Sequence, residues 1–142
     1  MKEVLILNGP NLGRLDLREK DIYGDFDYAT LKTEIESEAK VLGLRVDVRQ
    51  SDDETQIIHW LHEAAEKKLP VIINPAAFTH YSYAIRDAVS MLKSTVIEVH
   101  LSNPLSREEF RHTSVISGVS TGTISGFGID SYLLALRVIA KD

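Results

Sequence analysis

Short apolar runs alternate along the chain with longer segments in which apolar residues recur every three or four positions. The short runs have the length of strands, and the longer segments have the period of amphipathic helices. The predicted strands span residues 4–7, 44–49, 71–73, 96–101 and 119–124. The predicted helices span residues 27–42, most of the segment between 51 and 70, and residues 83–93 and 129–140.

This alternation of strands and helices predicts an α/β protein in which helices cover both faces of a parallel sheet. For a sheet of this size the common solution is a flavodoxin-like three-layer sandwich with strand order 2-1-3-4-5. We find no repeat, linker or change of composition, so we expect a single domain over residues 1–142.

Composition excludes several classes of protein. The net charge of −5 argues against sequence-independent binding to nucleic acid or to an anionic membrane surface. The chain has no cysteine, which excludes a disulfide framework, cysteine-ligated zinc and a thiol nucleophile. No apolar run approaches the ~20 residues of a membrane span. The first predicted strand begins so early that we expect no signal peptide, and hence a cytoplasmic protein.

A long polar segment, residues 8–24, separates the first predicted strand from the first predicted helix. It opens with Asn8-Gly9-Pro10-Asn11 and carries Arg18 and Tyr23. Connections of this length are uncommon in compact domains and are often lids or binding loops. We therefore expect this lid segment to take part in function; the alternative is a solvated connection without a role.

Polar side chains cluster where three of the predicted strands end. In an open parallel sheet these ends share one edge, where ligands bind. The side chains are Asn8, Asn11, Arg18 and Tyr23 after the first strand, Asn74 and His80 after the third, and His100, Ser102, Arg107 and Arg111 at or after the fourth. Because strands one, three and four are neighbours in the expected order, the sequence predicts one polar crevice.

The arginines of this crevice suggest a negatively charged ligand and a basic tyrosine. Arg107 and Arg111 add positive charge to an acidic chain, and arginine grips carboxylates with two parallel hydrogen bonds. A free tyrosine ionises only near pH ~10, but a neighbouring cation such as Arg18 favours the phenolate of Tyr23. In the alternative, Tyr23 only packs the lid shut and Arg18 is solvated.

His100 is the candidate acid. Glu98 faces the same way, because side chains alternate along a strand, and a carboxylate favours a protonated imidazole. The alternative is a buried structural histidine, and His80 is either a hydrogen-bond donor or a surface residue. A strong base and an imidazole acid can remove a proton beside a carbonyl and protonate a departing hydroxyl, which is dehydration through an enolate.

Several separated motifs occur in one order along the whole chain. They are Asn8-Gly9-Pro10-Asn11-Leu12, Arg18-Glu19 with Tyr23-Gly24, NPAAFTH at 74–80, Arg86-Asp87, EVHLSN at 98–103, REEFR at 107–111, Gly126-Phe127-Gly128 and Tyr132. On these motifs the chain resembles the type II 3-dehydroquinate dehydratases. The resemblance implies a lyase without metal or cofactor that converts 3-dehydroquinate to 3-dehydroshikimate by anti elimination. The pathway would be the shikimate route to the aromatic amino acids, or quinate breakdown.

The resemblance also implies roles for individual residues. Tyr23 would be the base, kept ionised by Arg18 with support from Arg107. Asn11 would hold a water at the enolate, and His100, oriented by Glu98, would be the acid. The substrate would be bound by Asn74, His80, Asp87, Leu101, Ser102 and Arg111. Asp87 is expected to reach the site of a neighbouring subunit, because the family forms dodecamers built from trimers.

The lid segment departs from the family pattern at Asp16 and Lys20, where glycine and proline are usual, and Tyr81 replaces a threonine. Asp16 is expected to put a negative charge near Arg18.

Other functions stay open. A phosphoacceptor signalling module would need acidic residues where Asn8 and Asn74 stand, and a flavin-binding module would need a phosphate loop rich in serine or threonine. A third possibility is a non-catalytic oligomeric relative that binds a small hydroxylated carboxylate.

Overall fold

A five-stranded parallel sheet forms the centre of the computed structural model, which describes residues 1–142. The strands are β1 (Glu3–Asn8), β2 (Arg45–Gln50), β3 (Val71–Asn74), β4 (Val96–His100) and β5 (Gly122–Ser125). Their order across the sheet is β2-β1-β3-β4-β5, and every neighbouring pair is parallel. The predicted α/β fold with its flavodoxin-like strand order is therefore confirmed.

Four helices cover the sheet, and a fifth, short helix lies in the lid segment. In chain order they are α1 (Lys20–Tyr23), α2 (Tyr28–Val41), α3 (Glu54–Lys67), α4 (Tyr83–Ser90) and α5 (Asp130–Ala140). The carboxylates of Asp27 and Asp53 cap α2 and α3 by accepting hydrogen bonds from the N–H groups of Thr30 (2.8 Å) and Thr55 (3.0 Å). None of these helices combines the length and the apolar content that crossing a membrane requires.

The sheet buries a separate apolar layer on each face. Helices α2 and α5 pack on the face that carries Val4 and Ile6, whereas α3 and α4 pack on the face that carries Leu5 and Leu7. These four apolar side chains of β1 are at most 1% exposed. A strand buried on both faces has no polar alternation, which explains the continuous apolar run at the start of the chain.

Two elements are shorter than predicted. Helix α4 ends at Ser90 rather than at residue 93, because the N–H groups of Met91 and Leu92 turn back onto carbonyls of its last turn. Strand β5 begins at Gly122 rather than at residue 119, because Ser117–Val119 form a 3-10 turn instead. The apolar residues before β5 thus anchor a turn rather than extend the sheet.

Gly9 joins the ends of β1 and β3 directly beneath the edge of the sheet. Its N–H donates to the carbonyl of Asn74 at 2.8 Å. A Cβ atom at this position would lie only 2.6 Å from the carbonyl oxygen of Pro75, which is backbone and cannot swing aside. The close approach of the two chain segments therefore requires glycine.

We expect Gly9→Ala to lower the free energy of unfolding by about 1–3 kcal/mol, because the added methyl group forces the two segments apart. Gly118→Ala is the matched control, since a Cβ there would meet no atom within 4 Å and its φ is not in the left-handed region. Urea unfolding of both variants measures the difference. Equal stability of the two variants would contradict this role of Gly9.

Candidate active site

A polar cleft of about 130 Å³ opens where β1, β3 and β4 end. It is lined by residues of the lid segment and of the segments after β3 and β4. Those singled out from the sequence are Asn11, Arg18, Tyr23, Asn74, His80, His100, Leu101, Ser102, Arg107 and Arg111. The structure thus brings together almost all of the predicted side chains. Glu98 lies buried behind His100, and Asp87 lies elsewhere.

Two guanidinium groups from different parts of the chain contact the hydroxyl of Tyr23. Arg107 donates from Nη2 at 2.6 Å, and Arg18 donates from its own Nη2. Their Cζ atoms lie 4.8 and 4.0 Å from the centre of the tyrosine ring. A guanidinium has donors but no acceptor, so both contacts favour a negatively charged phenol oxygen. Tyr23 is only 7% exposed, which limits competition from water.

The lid segment reaches this arrangement through two short helical turns rather than as the irregular loop predicted from the sequence. Leu12–Leu17 form a 3-10 segment, anchored by the burial of Leu12 and Leu15 in the core. Arg18 follows in an extended conformation, and α1 then carries Tyr23 at its end. Gly24 closes α1 with a φ of 107°, a conformation that glycine adopts without strain.

The unusual residues of the lid segment form local ion pairs. Both carboxylate oxygens of Asp16 accept from Arg14, at 3.0 Å each, and Lys20 lies 3.2 Å from Asp25. Asp16 is therefore paired with Arg14, and no hydrogen bond or ion pair joins it to Arg18. Tyr81 is exposed and does not line the cleft, so it does not narrow it.

His100 and Glu98 form a tight pair at the end of β4. The imidazole Nε2 lies 2.5 Å from Glu98 Oε2, which leaves Nδ1 without a partner in the chain. Glu98 has no exposed surface. Burial opposes its ionisation, but the hydrogen bond from His100 and those from nearby hydroxyls outweigh this effect and hold the pKa of Glu98 below its ordinary value.

Three hydroxyl groups that sequence reasoning missed also contact Glu98. They belong to Thr79, Ser114 and Ser117. Thr79 precedes His80 in a 3-10 turn, and the two serines lie in an irregular segment before β5. Serine and threonine are frequent in such segments, so the sequence carries no signal that distinguishes these three.

His80 lines the cleft, and a backbone carbonyl orients its ring. Its Nδ1 lies 2.8 Å from the carbonyl oxygen of Thr113, so Nδ1 must carry a proton. Burial lowers the pKa of His80, and the ring is therefore neutral at pH 7. The remaining nitrogen, Nε2, then offers a lone pair to a hydroxyl of a bound ligand.

Asn74 is oriented by a buried chain of hydrogen bonds. Its Oδ1 accepts from the N–H of Ala76 at 3.1 Å, and its Nδ2 donates to the hydroxyl of Tyr132 at 2.9 Å. Tyr132 in turn donates to Asn8 Oδ1 at 2.6 Å. Burial raises the pKa of Tyr132 far above its ordinary value, so it stays a neutral donor. The second N–H of the Asn74 amide is left for a ligand in the cleft.

One wall of the cleft offers several hydrogen-bond donors to an anion. The N–H groups of Leu101 and Ser102, just after β4, donate no hydrogen bond within the chain. Arg107 also donates to Ser102 Oγ at 3.1 Å, and Arg111 is held by Glu108 at 3.2 Å. Backbone amides beside fixed guanidinium groups suit a carboxylate.

Asn11 and Asp87 complete the predicted set. Asn11 has a left-handed backbone with a φ of 71°, and its N–H donates to Asp52 at 2.8 Å. Its side chain makes no hydrogen bond within the chain and remains available to the cleft. Asp87 lies on α4 with its side chain 69% exposed and paired with Arg86, outside the cleft of its own chain.

Comparisons with known proteins point to one family. The family model for dehydroquinase class II matches residues 2–140. The chain is 55% identical over 134 residues to a 3-dehydroquinate dehydratase of Mycobacteroides abscessus, covering 94% of this chain and 93% of the relative. It is 52% identical to a 3-dehydroquinate dehydratase of Caldicellulosiruptor bescii, covering 99% and 98%. The crystal structure of a type II dehydroquinase from Propionibacterium acnes superposes with a TM-score of 0.98 at 50% identity, covering 100% and 98%.

We expect Tyr132→Phe to lower the free energy of unfolding by about 1–3 kcal/mol, because Asn8 Oδ1 and Asn74 Nδ2 lose their buried hydrogen bonds to the Tyr132 hydroxyl. Tyr83→Phe is the control, since Tyr83 is 69% exposed, and it should change stability by less than about 0.5 kcal/mol. Urea denaturation with an unchanged m-value would measure both. A Tyr132→Phe protein as stable as the Tyr83→Phe protein would show that the buried chain does not hold the edge of the sheet.

The lowered pKa of Glu98 makes part of the stability dependent on pH. Its carboxylate stabilises the fold above the pKa of an unfolded glutamate, about 4.3, and this contribution is lost as the pH falls through the lower folded value. The difference in free energy of unfolding between the natural protein and Glu98→Gln should therefore shrink on acidification. Glu66→Gln, at an exposed position of α3, should show no such change. A difference that stays constant down to about pH 3 would contradict an ionised Glu98 in the fold.

Proposed function

Because the chain belongs to the dehydroquinase class II family, we propose that it is a hydro-lyase that converts 3-dehydroquinate to 3-dehydroshikimate and water. The reaction is an anti elimination through an enolate and serves the shikimate pathway. The observation that carries this proposal is the contact of two guanidinium groups with the hydroxyl of Tyr23, across the cleft from an imidazole paired with a carboxylate.

Tyr23 is the base. Its phenolate takes the proton from C2, the carbon beside the ketone, and the electrons of that C–H bond form the enolate. Arg18 and Arg107 stabilise the phenolate before the transfer and keep a positive field beside the enolate afterwards. Asn11, whose side chain has no partner in the chain, holds a water against the enolate oxygen.

His100 is the acid. As the enolate collapses, the C1–O bond breaks, and the departing hydroxyl takes a proton from the imidazole and leaves as water. The ionised Glu98 favours the imidazolium and fixes which ring nitrogen faces the substrate. The proton on Tyr23 returns to solvent and His100 is reprotonated before the next turnover, so protons balance.

The remaining polar groups bind the substrate. The backbone amides of Leu101 and Ser102 take its carboxylate, and Arg111 adds positive charge beside them. Asn74 donates to a substrate hydroxyl and the neutral His80 accepts from one. Asp87 lies outside its own cleft, which supports a role in the site of a neighbouring subunit, within a dodecamer built from trimers.

A Schiff-base route to the same product has little support. It needs a lysine that can reach the substrate ketone, and no lysine lines the cleft. The second candidate function is a non-catalytic relative that binds the same carboxylate. It is favoured only by the two departures in the lid segment, Asp16 and Lys20, whose side chains form exposed local ion pairs.

We expect Tyr23→Phe to lower the rate of dehydration by about 10²–10⁴-fold, because the phenyl ring fills the same space without a basic oxygen. The assay is the ultraviolet absorbance of the conjugated product, and circular dichroism verifies the fold of the variant. Tyr83→Phe, an exposed tyrosine on α4, should retain full activity.

Product formation by Tyr23→Phe at the natural rate would rule out this assignment of the base. Binding of 3-dehydroquinate by the natural protein without any product would instead favour the non-catalytic relative.

A further inference from the structure

Glu98 is the only carboxylate of the chain that is fully buried. It lies between His100 and a group of three hydroxyls, here called the hydroxyl cage, which consists of Thr79, Ser114 and Ser117. A buried charge needs several hydrogen bonds to offset its loss of water. The cage therefore has an electrostatic task in addition to any part in packing.

The number of donors matches the capacity of the carboxylate. Oε1 accepts from Ser117 at 2.7 Å and from Ser114 at 2.9 Å, whereas Oε2 accepts from Thr79 and from His100 Nε2, each at 2.5 Å. Two carboxylate oxygens offer about four lone-pair sites. Each lone-pair site of the ionised Glu98 carboxylate thus has a hydrogen-bond donor within reach.

The direction of these hydrogen bonds is set by the surrounding backbone. Ser114 Oγ accepts from the N–H groups of Ile116 (3.1 Å) and Ser117 (3.0 Å), so its own proton points into the cage. There it has two acceptors within reach, Glu98 Oε1 at 2.9 Å and Thr79 Oγ1 at 2.7 Å. Ser117 Oγ has no other partner than Glu98. Ser114 and the 3-10 turn that begins at Ser117 therefore present serine hydroxyls to the carboxylate as donors.

A protonated Glu98 does not fit this cage. Its new O–H would need an acceptor, and one of the donors around this fully buried carboxyl would lose its partner. The cage thus favours the anion and leaves the proton of the pair on the imidazole. Three further titratable groups line the same pocket as the pair, namely His80, Arg111 and the exposed His112.

We infer that Thr79, Ser114 and Ser117 are positioning residues for the acid His100, acting through Glu98. They keep Glu98 ionised and hold its oxygens in one orientation, so that His100 retains its proton and presents Nδ1 to the substrate. The inference rests on the proposed function for its effect on turnover, but the ionisation of Glu98 is independent of any substrate.

Two readouts on the full-length protein test the inference. The first is kcat and KM for 3-dehydroquinate, and the second is the infrared band of the protonated Glu98 carboxyl during a pH titration, identified by its absence in Glu98→Gln. Ser117→Ala and Thr79→Val each remove one donor, and Thr79→Ser retains it. Ser120→Ala is the matched control, because its hydroxyl lies in the same segment but donates to the carbonyl of Ile116.

We expect Ser117→Ala and Thr79→Val to lower kcat about ten-fold with KM changed less than about two-fold, since one hydrogen bond to a charged group is lost. The infrared titration of Glu98 should move upward by about one pH unit in both. Thr79→Ser and Ser120→Ala should match the natural protein in both readouts. A merely structural role of the cage would lower stability without moving this titration.

An unchanged titration of Glu98 in Ser117→Ala and Thr79→Val would overturn the inference, and so would an unchanged kcat. If the natural protein formed no product, the proposed function would fail, and the titration would still decide whether the cage controls Glu98.

Discussion

The convergence of Arg18 and Arg107 on the hydroxyl of Tyr23 is the interaction on which the chemistry of this molecule depends. One guanidinium comes from the lid segment and the other from the segment after β4, so the pair exists only while the lid lies on the edge of the sheet. Although the chain is acidic overall, two of its positive charges meet at one buried oxygen, the hydroxyl of Tyr23. Both guanidinium groups have hydrogen-bond donors and no acceptor, an arrangement that suits the base that we propose Tyr23 to be.

At His100, on another part of the cleft, the partner has the opposite charge. There a buried carboxylate, Glu98, contacts an imidazole, whereas at Tyr23 two guanidinium groups contact a phenol. The two sites thus carry partners of opposite charge, which suits the acid and base roles that we propose for His100 and Tyr23. The buried chain from Asn74 through Tyr132 to Asn8 keeps the sheet edge between them in place. The electrostatics of the site therefore rest on a few hydrogen bonds made at the ends of β1, β3 and β4.

The fold and most of the site could be predicted because both follow from periodicity. Apolar runs of strand length defined the sheet, and the rule that ligands bind at the carboxyl ends of parallel strands placed Tyr23, Asn74 and His100 in one cleft. The helical turns of the lid segment were missed, since single turns are too short to show a period. The hydroxyl cage and the orientation of His80 depend on partners from irregular segments, which no local pattern indicates.

The need for two guanidinium groups at Tyr23 is the central claim, and the kcat of Arg18→Gln and Arg107→Gln for 3-dehydroquinate measures it directly. We expect each variant to keep its fold and to lose about 10²–10³-fold in kcat, the usual cost of removing one donor at a developing charge. Turnover at the natural rate by either variant would contradict this claim.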